Sequence, residues 1–169
     1  MSLKNISRLT LVLPIILVVA ACSSSGTLNV SKQKSESIPP NRTVSLIVKS
    51  DTSGGSQEMV QRLRSELFGR LVSEAVFKHV LHPQDKGDYL MEVRVLDAEK
   101  VSQGARILFG VLAGANKLRS TVKLTETASG QLVTSFDVVG ESASHPLSSE
   151  NGMEDAIREV VSKMIVALQ

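Results

Sequence analysis

The chain has 169 residues, 42% hydrophobic and 21% charged, a length that suits one domain around one core. Its single cysteine leaves no intrachain disulfide and no thiolate metal site. A formal charge of +2 lacks the basic surface that nucleic acid needs, and four Phe, one Tyr and no Trp offer little stacking for sugars or bases, so no nucleic-acid partner and no cofactor are expected.

Met1–Thr10 carries Lys4 and Arg8 and no acid, Leu11–Ala21 is almost wholly apolar, and Val19-Ala20-Ala21 lead into Cys22. A cationic start, an apolar stretch and small residues at a cleavage point form the layout of a secretory signal. The apolar run falls well short of the roughly 20 residues a membrane span needs, and Pro14 suits a cleaved segment better than a permanent helix. With Cys22 directly after the small residues, the segment resembles a bacterial lipobox. That resemblance implies cleavage before Cys22, diacylglycerol on its sulfur, an acyl chain on the new amine, and a protein anchored to a membrane rather than spanning it. Ser23 resembles the default of Gram-negative lipoproteins sorted to the outer membrane and facing the periplasm. Loss of residues 1–21 removes Lys4 and Arg8, which leaves 17 cations against 17 acids. Residues 22–41 read as the lipidated cysteine and a flexible Ser-, Lys-, Gln- and Pro-rich tether. Residues 42–169 read as a single α+β domain.

Within that domain, Thr43–Lys49 alternates as a strand, and Asp51–Gly55 is a loop. Gln57–Leu81 predicts a helix: Leu63, Leu67, Leu71 and Ala75 recur every four residues, widened by Val60, Phe68, Val72, Val76 and Val80. Ser56 is placed to cap it, and Pro83 to stop it. Asp88–Val101 returns to strand, with Tyr89, Met91, Val93 and Val95 on one face and Glu92 and Arg94 on the other. Lys117–Thr127 and Gln131–Gly140 pair as a hairpin around Ala128-Ser129-Gly130. Met153–Leu168 closes the chain as an amphipathic helix. The order β-α-β-β-β-α, with one apolar face per helix, predicts a two-layer α+β sandwich with a mixed or mainly antiparallel sheet and two packed helices. The second sheet face carries Ile47, Leu90, Leu96, Val133 and Val139, enough apolar surface to favour a partner there.

Gly104–Ala115 is unusual for a connection: from Ile107 onward it holds no polar side chain. Together with the Asp88-Tyr89 strand start, Arg106, the spaced Gly110 and Gly114, the turn at Gly130, Phe136, Gly140 and the closing helix, it resembles a bacterial lipoprotein family known as domain of unknown function 4410. The resemblance covers most of residues 42–169, implies an envelope protein and carries no catalytic residues with it. A looser likeness, in strand and helix order only, is to periplasmic domains of secretion lipoproteins such as the curli pore. Three readings of the apolar run stay open: a Gly-rich crossover packed over the core, a partner or oligomer contact, or a membrane insertion. The candidate contact residues are Arg106, Ile107, Leu108, Phe109, Gly110, Val111, Leu112, Gly114 and Lys117, with Arg106 and Lys117 at its polar rim. Gly110 and Gly114 form a G-x-x-x-G spacing, which permits close helix approach in membranes.

His79 and His82 stand three apart, near Asp85 and Asp88, and are weak candidates for a metal site. A polar helix end explains them more simply. His145-Pro146 reads as a turn, and Gly54-Gly55 lacks the flanking residues of a phosphate-binding loop. The expected function is an outer-membrane-anchored lipoprotein with a small periplasmic interaction or assembly domain, no catalysis, and a protein partner or second copies of itself. The alternatives are a subunit of an oligomeric secretion pore and a metal-dependent periplasmic hydrolase.

Overall fold

Among the described residues ten elements follow in chain order: β1 (Ser25–Lys32), β2 (Thr43–Ser50), α1 (Gln57–Ser73), β3 (His79–Leu81), β4 (Tyr89–Glu99), α2 (Gln103–Phe109), a 3-10 turn (Gly110–Ala113), β5 (Lys117–Glu126), β6 (Leu132–Glu141) and α3 (Gly152–Leu168). They come from a computed structural model that describes residues 24–32, 38–51, 56–143 and 152–169. The lipobox cysteine Cys22, the Gly54-Gly55 loop and His145-Pro146 lie outside those residues. The strands form one six-stranded sheet in the order β1-β6-β5-β4-β2-β3. β2 runs parallel to β3 and β4, and the other pairs are antiparallel. Helices α1 and α3 pack on each other and on one sheet face, the α+β sandwich that the hydrophobic patterning predicts.

The core follows from that patterning. Tyr89, Met91, Val93 and Val95 are buried along β4, Leu118, Val122 and Leu124 along β5, and Phe136 and Val138 along β6. Met59, Leu63, Leu67 and Leu71 of α1 meet them from above, as do Ile157, Val160, Val161, Met164 and Leu168 of α3. Burying each such side chain contributes about 1.5–3 kcal/mol. The four anchors of α1 therefore outweigh its N-cap, in which Ser56 Oγ accepts from Met59 N at 3.2 Å, a bond typically worth ~1 kcal/mol. Gly140 lets α3 settle onto β6: a Cβ there would run into the Ala156 carbonyl and stand 2.8 Å from Val160.

Several elements depart from expectation. The first helix stops at Ser73, not Leu81. Ala75 adopts a left-handed φ of 50°, while Ala75 N donates to Val72 O and Val76 N to Leu71 O, each at 3.2 Å. These two bonds form a Schellman cap. Burial of Val76 and Phe77 directly after it turns the chain into β3. Phe68 and Val72, read as part of the helix stripe, are 40% and 54% exposed. Residues 25–32, read as flexible tether, pair with β6 as an edge strand, with Leu28 against the core. Polar composition hid this strand, because an edge strand with one half-buried row needs few large apolar residues. The second sheet face is less adhesive than its apolar residues suggested. Lys49 pairs with Glu92 at 3.1 Å and Arg94 with Asp51 at 3.6 Å. Thr121 donates to Asp137 at 2.5 Å across the strands. Val133, counted there from alternation, packs against the core instead, beside a register shift between β5 and β6.

Candidate contact site at one end of the sheet

The link between β4 and β5 carries the most distinctive surface of the molecule. Ser102 starts α2: its hydroxyl accepts from Ala105 N and its carbonyl from Arg106 N, both at 3.2 Å. Seven helical residues and the 3-10 turn then pack chiefly on each other. Gly114 reverses the chain into β5 at φ 86°, a conformation costly for any residue with a Cβ. The lobe formed in this way holds its apolar side chains out to solvent. Ile107 is 73% exposed, Leu108 78%, Phe109 61% and Leu112 87%. The reading of this stretch as a crossover packed over the core is therefore overturned. The sheet face that forms the core is already covered by α1 and α3, and α2 packs on neither the sheet nor those helices to any extent.

The base of the lobe is polar and buried. Asn116 Oδ1 accepts from Val101 N at 2.7 Å, which ties the two ends of the excursion together. Asn116 N donates to Ser142 Oγ at 3.0 Å, and Ser142 N returns a bond to Asn116 O at 2.9 Å. Arg106, Asn116 and Ser142 are each 4% exposed or less. The Asn116 amide and the Arg106 guanidinium close over Gly152, the first residue of α3, where a Cβ would have no room. This clamp holds the lobe at a set place relative to the sheet and the helix start.

Of the predicted contact residues, Ile107, Leu108, Phe109 and Leu112 share one exposed tip. Arg106 does not join them: it is buried beneath the lobe, not part of a solvated rim, because its place on the inner side of α2 turns it toward Asn116 and Gly152. Gly110 and Gly114 do not form a helix-packing pair, since α2 ends at Phe109 and Gly114 is left-handed. The side chain of Val111 lies outside the described set. Lys117 is half-exposed and pairs with Glu141 at 3.2 Å. Asn116 and Ser142 escaped the sequence reading. Asn116 is the polar residue that ends the apolar run, but its partner lies 26 residues further on.

The histidines do not converge. His79 sits in β3 and His82 beyond its end, so the helical i, i+3 geometry is absent. His82 Nδ1 meets the Arg64 guanidinium at 3.2 Å, a cation beside the position a metal would take. Of the nearby acids, Asp88 has a structural role. Asp88 takes Thr43 N at 2.7 Å and the Thr43 hydroxyl at 2.9 Å, and faces Arg42 at 3.3 Å. The Thr43 backbone N–H, then its hydroxyl and the Arg42 charge, hold the Asp88 carboxyl below the usual carboxylate value against an opposing burial cost. Among the described residues no group of three or more His, Cys, Asp or Glu is placed to hold a metal, and no helix is long and apolar enough to cross a membrane.

A two-layer α+β sandwich with a clamped, solvent-facing apolar lobe is the class of protein that these features define. The chain belongs to the family described as Domain of unknown function (DUF4410), whose model matches residues 30–146. The match begins inside β1, earlier than the resemblance suggested, and stops short of α3. Among solved structures, the chain is similar to the PelC dodecamer from Paraburkholderia phytofirmans, with 12% identity over 86% of this chain and 98% of that one, at a TM-score of 0.62. It is also similar to a Xanthomonas campestris protein of the DUF330 family, with 11% identity over 74% of this chain and 82% of that one, at a TM-score of 0.50. At these identities the likeness concerns the fold. No curated protein matches the chain in sequence.

Proposed function

We propose that this protein is a lipid-anchored envelope lipoprotein, held at Cys22 on the outer membrane, whose periplasmic domain works by contact and assembly rather than by catalysis. The observation that carries this reading is the lobe. Four large apolar side chains stand more than 60% exposed on a rigidly clamped excursion, a surface whose solvation a monomer without partners has no reason to maintain. The lipobox layout supports the anchor, and the likeness in fold to PelC, a dodecamer, over 86% of this chain favours assembly of several copies. The lobe, the open sheet face and the outer strands β1 and β3 are the surfaces available for these contacts.

Two measurements test the proposal. Metabolic labelling with an alkyne-bearing fatty acid, read by mass spectrometry of the N-terminal peptide, is expected to place lipid on Cys22 and to lose it in Cys22→Ala. Native mass spectrometry of the full chain in detergent is expected to give a multiple of the protomer. Label absent from Cys22 refutes the anchor, and protomer mass alone at every concentration refutes self-assembly. A bound stoichiometric metal together with hydrolytic turnover would favour the metal-dependent hydrolase instead.

A further inference from the structure

The strand register places the anchor and the lobe at the same end of the sheet. Ser25 pairs with Glu141, Glu141 with Lys117, and Lys117 with Glu99. The start of β1, the end of β6, the start of β5 and the end of β4 thus lie in one row. The lobe leaves the sheet at Glu99 and returns at Lys117. With neighbouring strands about 4.8 Å apart, β1 and β5 are separated by roughly 10 Å. Cys22 is three residues before Ser25, and three residues reach at most about 10 Å. The first described strand therefore begins almost at the lipid attachment point, and eight of the 20 residues read from composition as tether, Ser25–Lys32, belong to it.

From this juxtaposition the geometry points to a second, non-covalent membrane contact: the tip formed by Ile107, Leu108, Phe109 and Leu112 inserts into the phospholipid leaflet that carries the Cys22 acyl chains. The inference rests on the lipid anchor proposed above. Two further observations favour lipid over a protein partner as the occupant. The segment from Ile107 to Ala115 has no polar side chain, so the tip itself offers none of the side-chain hydrogen bonds that a protein interface normally carries. The lobe is also convex, packed chiefly on itself, which suits insertion into a deformable surface better than docking into a shaped groove. Nearby charges are mixed: Lys100 and Arg119 lie beside Asp97 and Glu99, all exposed. Insertion therefore depends on apolar burial rather than on anionic headgroups. Domain orientation follows from these two points of attachment. The hairpin turn at Ser129 points away from the membrane, and the open sheet face stands roughly upright on it.

The test uses the full lipoprotein reconstituted in phosphatidylethanolamine–phosphatidylglycerol vesicles. A thiol-reactive environment-sensitive fluorophore is placed at Leu108→Cys, at Leu112→Cys and at Ser129→Cys as the distal reference. Quenching by nitroxide-bearing lipids is expected to be at least about fivefold stronger at 108 and 112 than at 129, and unchanged by salt. Equal quenching at the three positions overturns the inference. So does disulfide crosslinking between copies at 108 without lipid quenching, which would make a second copy the occupant. The parent chain separates the two levels of the reading: an acylated Cys22 takes no thiol label, so labelling of the parent refutes the anchor, whereas an unlabelled parent with an unquenched lobe refutes the insertion alone. Retained native circular dichroism in the exposed double variant Leu108→Glu with Leu112→Glu, combined with lost quenching of a probe at Ile107→Cys, would attribute the contact to the tip rather than to the fold.

Discussion

The two ends of the sheet carry connections of opposite chemistry, and each does the reverse of what its polarity suggests. At one end the polar stretch His82–Asp88 is drawn down onto β2. Ser45 Oγ donates to Asp85 O at 2.5 Å and accepts from Gly87 N at 2.8 Å, and Asp88 is bonded to Thr43 by two contacts under 3 Å. At the other end the apolar stretch Ile107–Leu112 is held away from the body by a buried polar clamp around Asn116. Polar groups fold onto the domain when backbone partners wait for them, because an unmet buried donor costs about 1–3 kcal/mol. Apolar groups remain outside when the sheet face that forms the core is already covered by other helices. The first end serves stability, and the second is available for contact.

Four substitutions break or sharpen this contrast. The largest effect is expected at Gly87, where a Cβ would stand 2.8 Å from Ser45 N and 3.0 Å from the Val44 carbonyl carbon. Gly87→Ala should cost about 2–3 kcal/mol by urea denaturation, since backbone rather than a flexible side chain must move. Ser45→Ala comes next: with the buried Gly87 N–H left unmet, a loss of about 1–2 kcal/mol is expected in the same assay.

Asp88→Asn should be read through pH. The folded carboxyl titrates below its unfolded value, so its contribution is complete above that value, about 3.9, and is lost as pH falls through the folded one. The difference in melting temperature between parent and variant should stay constant above about pH 5 and close progressively toward pH 2. A gap that widens on acidification would contradict a stabilising role for the bonds between Asp88 and Thr43. The smallest effect is expected in the lobe: Leu112→Gln, at an 87% exposed position, should change stability by less than about 0.5 kcal/mol. A loss several times larger would mean that the lobe is part of the folding core and not a contact surface.

Much of the sandwich was legible from side-chain spacing. The alternation at Tyr89, Met91, Val93 and Val95, the hairpin about Gly130, and the stripe of α3 all reach the core as their periods predict. The early end of α1 was not legible, because Ala75 gives no Gly-like warning of the left-handed turn that it adopts. Nor was β1, whose pairing with β6 joins residues more than a hundred positions apart. The candidate contact site was legible as a segment but not as a surface. Ile107, Leu108, Phe109 and Leu112 were named by composition, whereas Arg106 proved buried and the Asn116–Ser142 clamp went unseen.

The division follows from range. Hydrophobic period, turn glycines, a helix cap and the lipobox layout are local patterns, and the sequence alone determined the α+β class, the two main helices, the hairpin and the presence of a conspicuously apolar link. Whether that link covers the core or leaves it depends on which faces are already occupied, and the distance from Cys22 to the lobe depends on how β1 aligns with β6, β5 and β4. Both are set by long-range pairing and packing, so only the tertiary structure could decide that the apolar tip is exposed and that it shares one end of the sheet with the start of the folded chain.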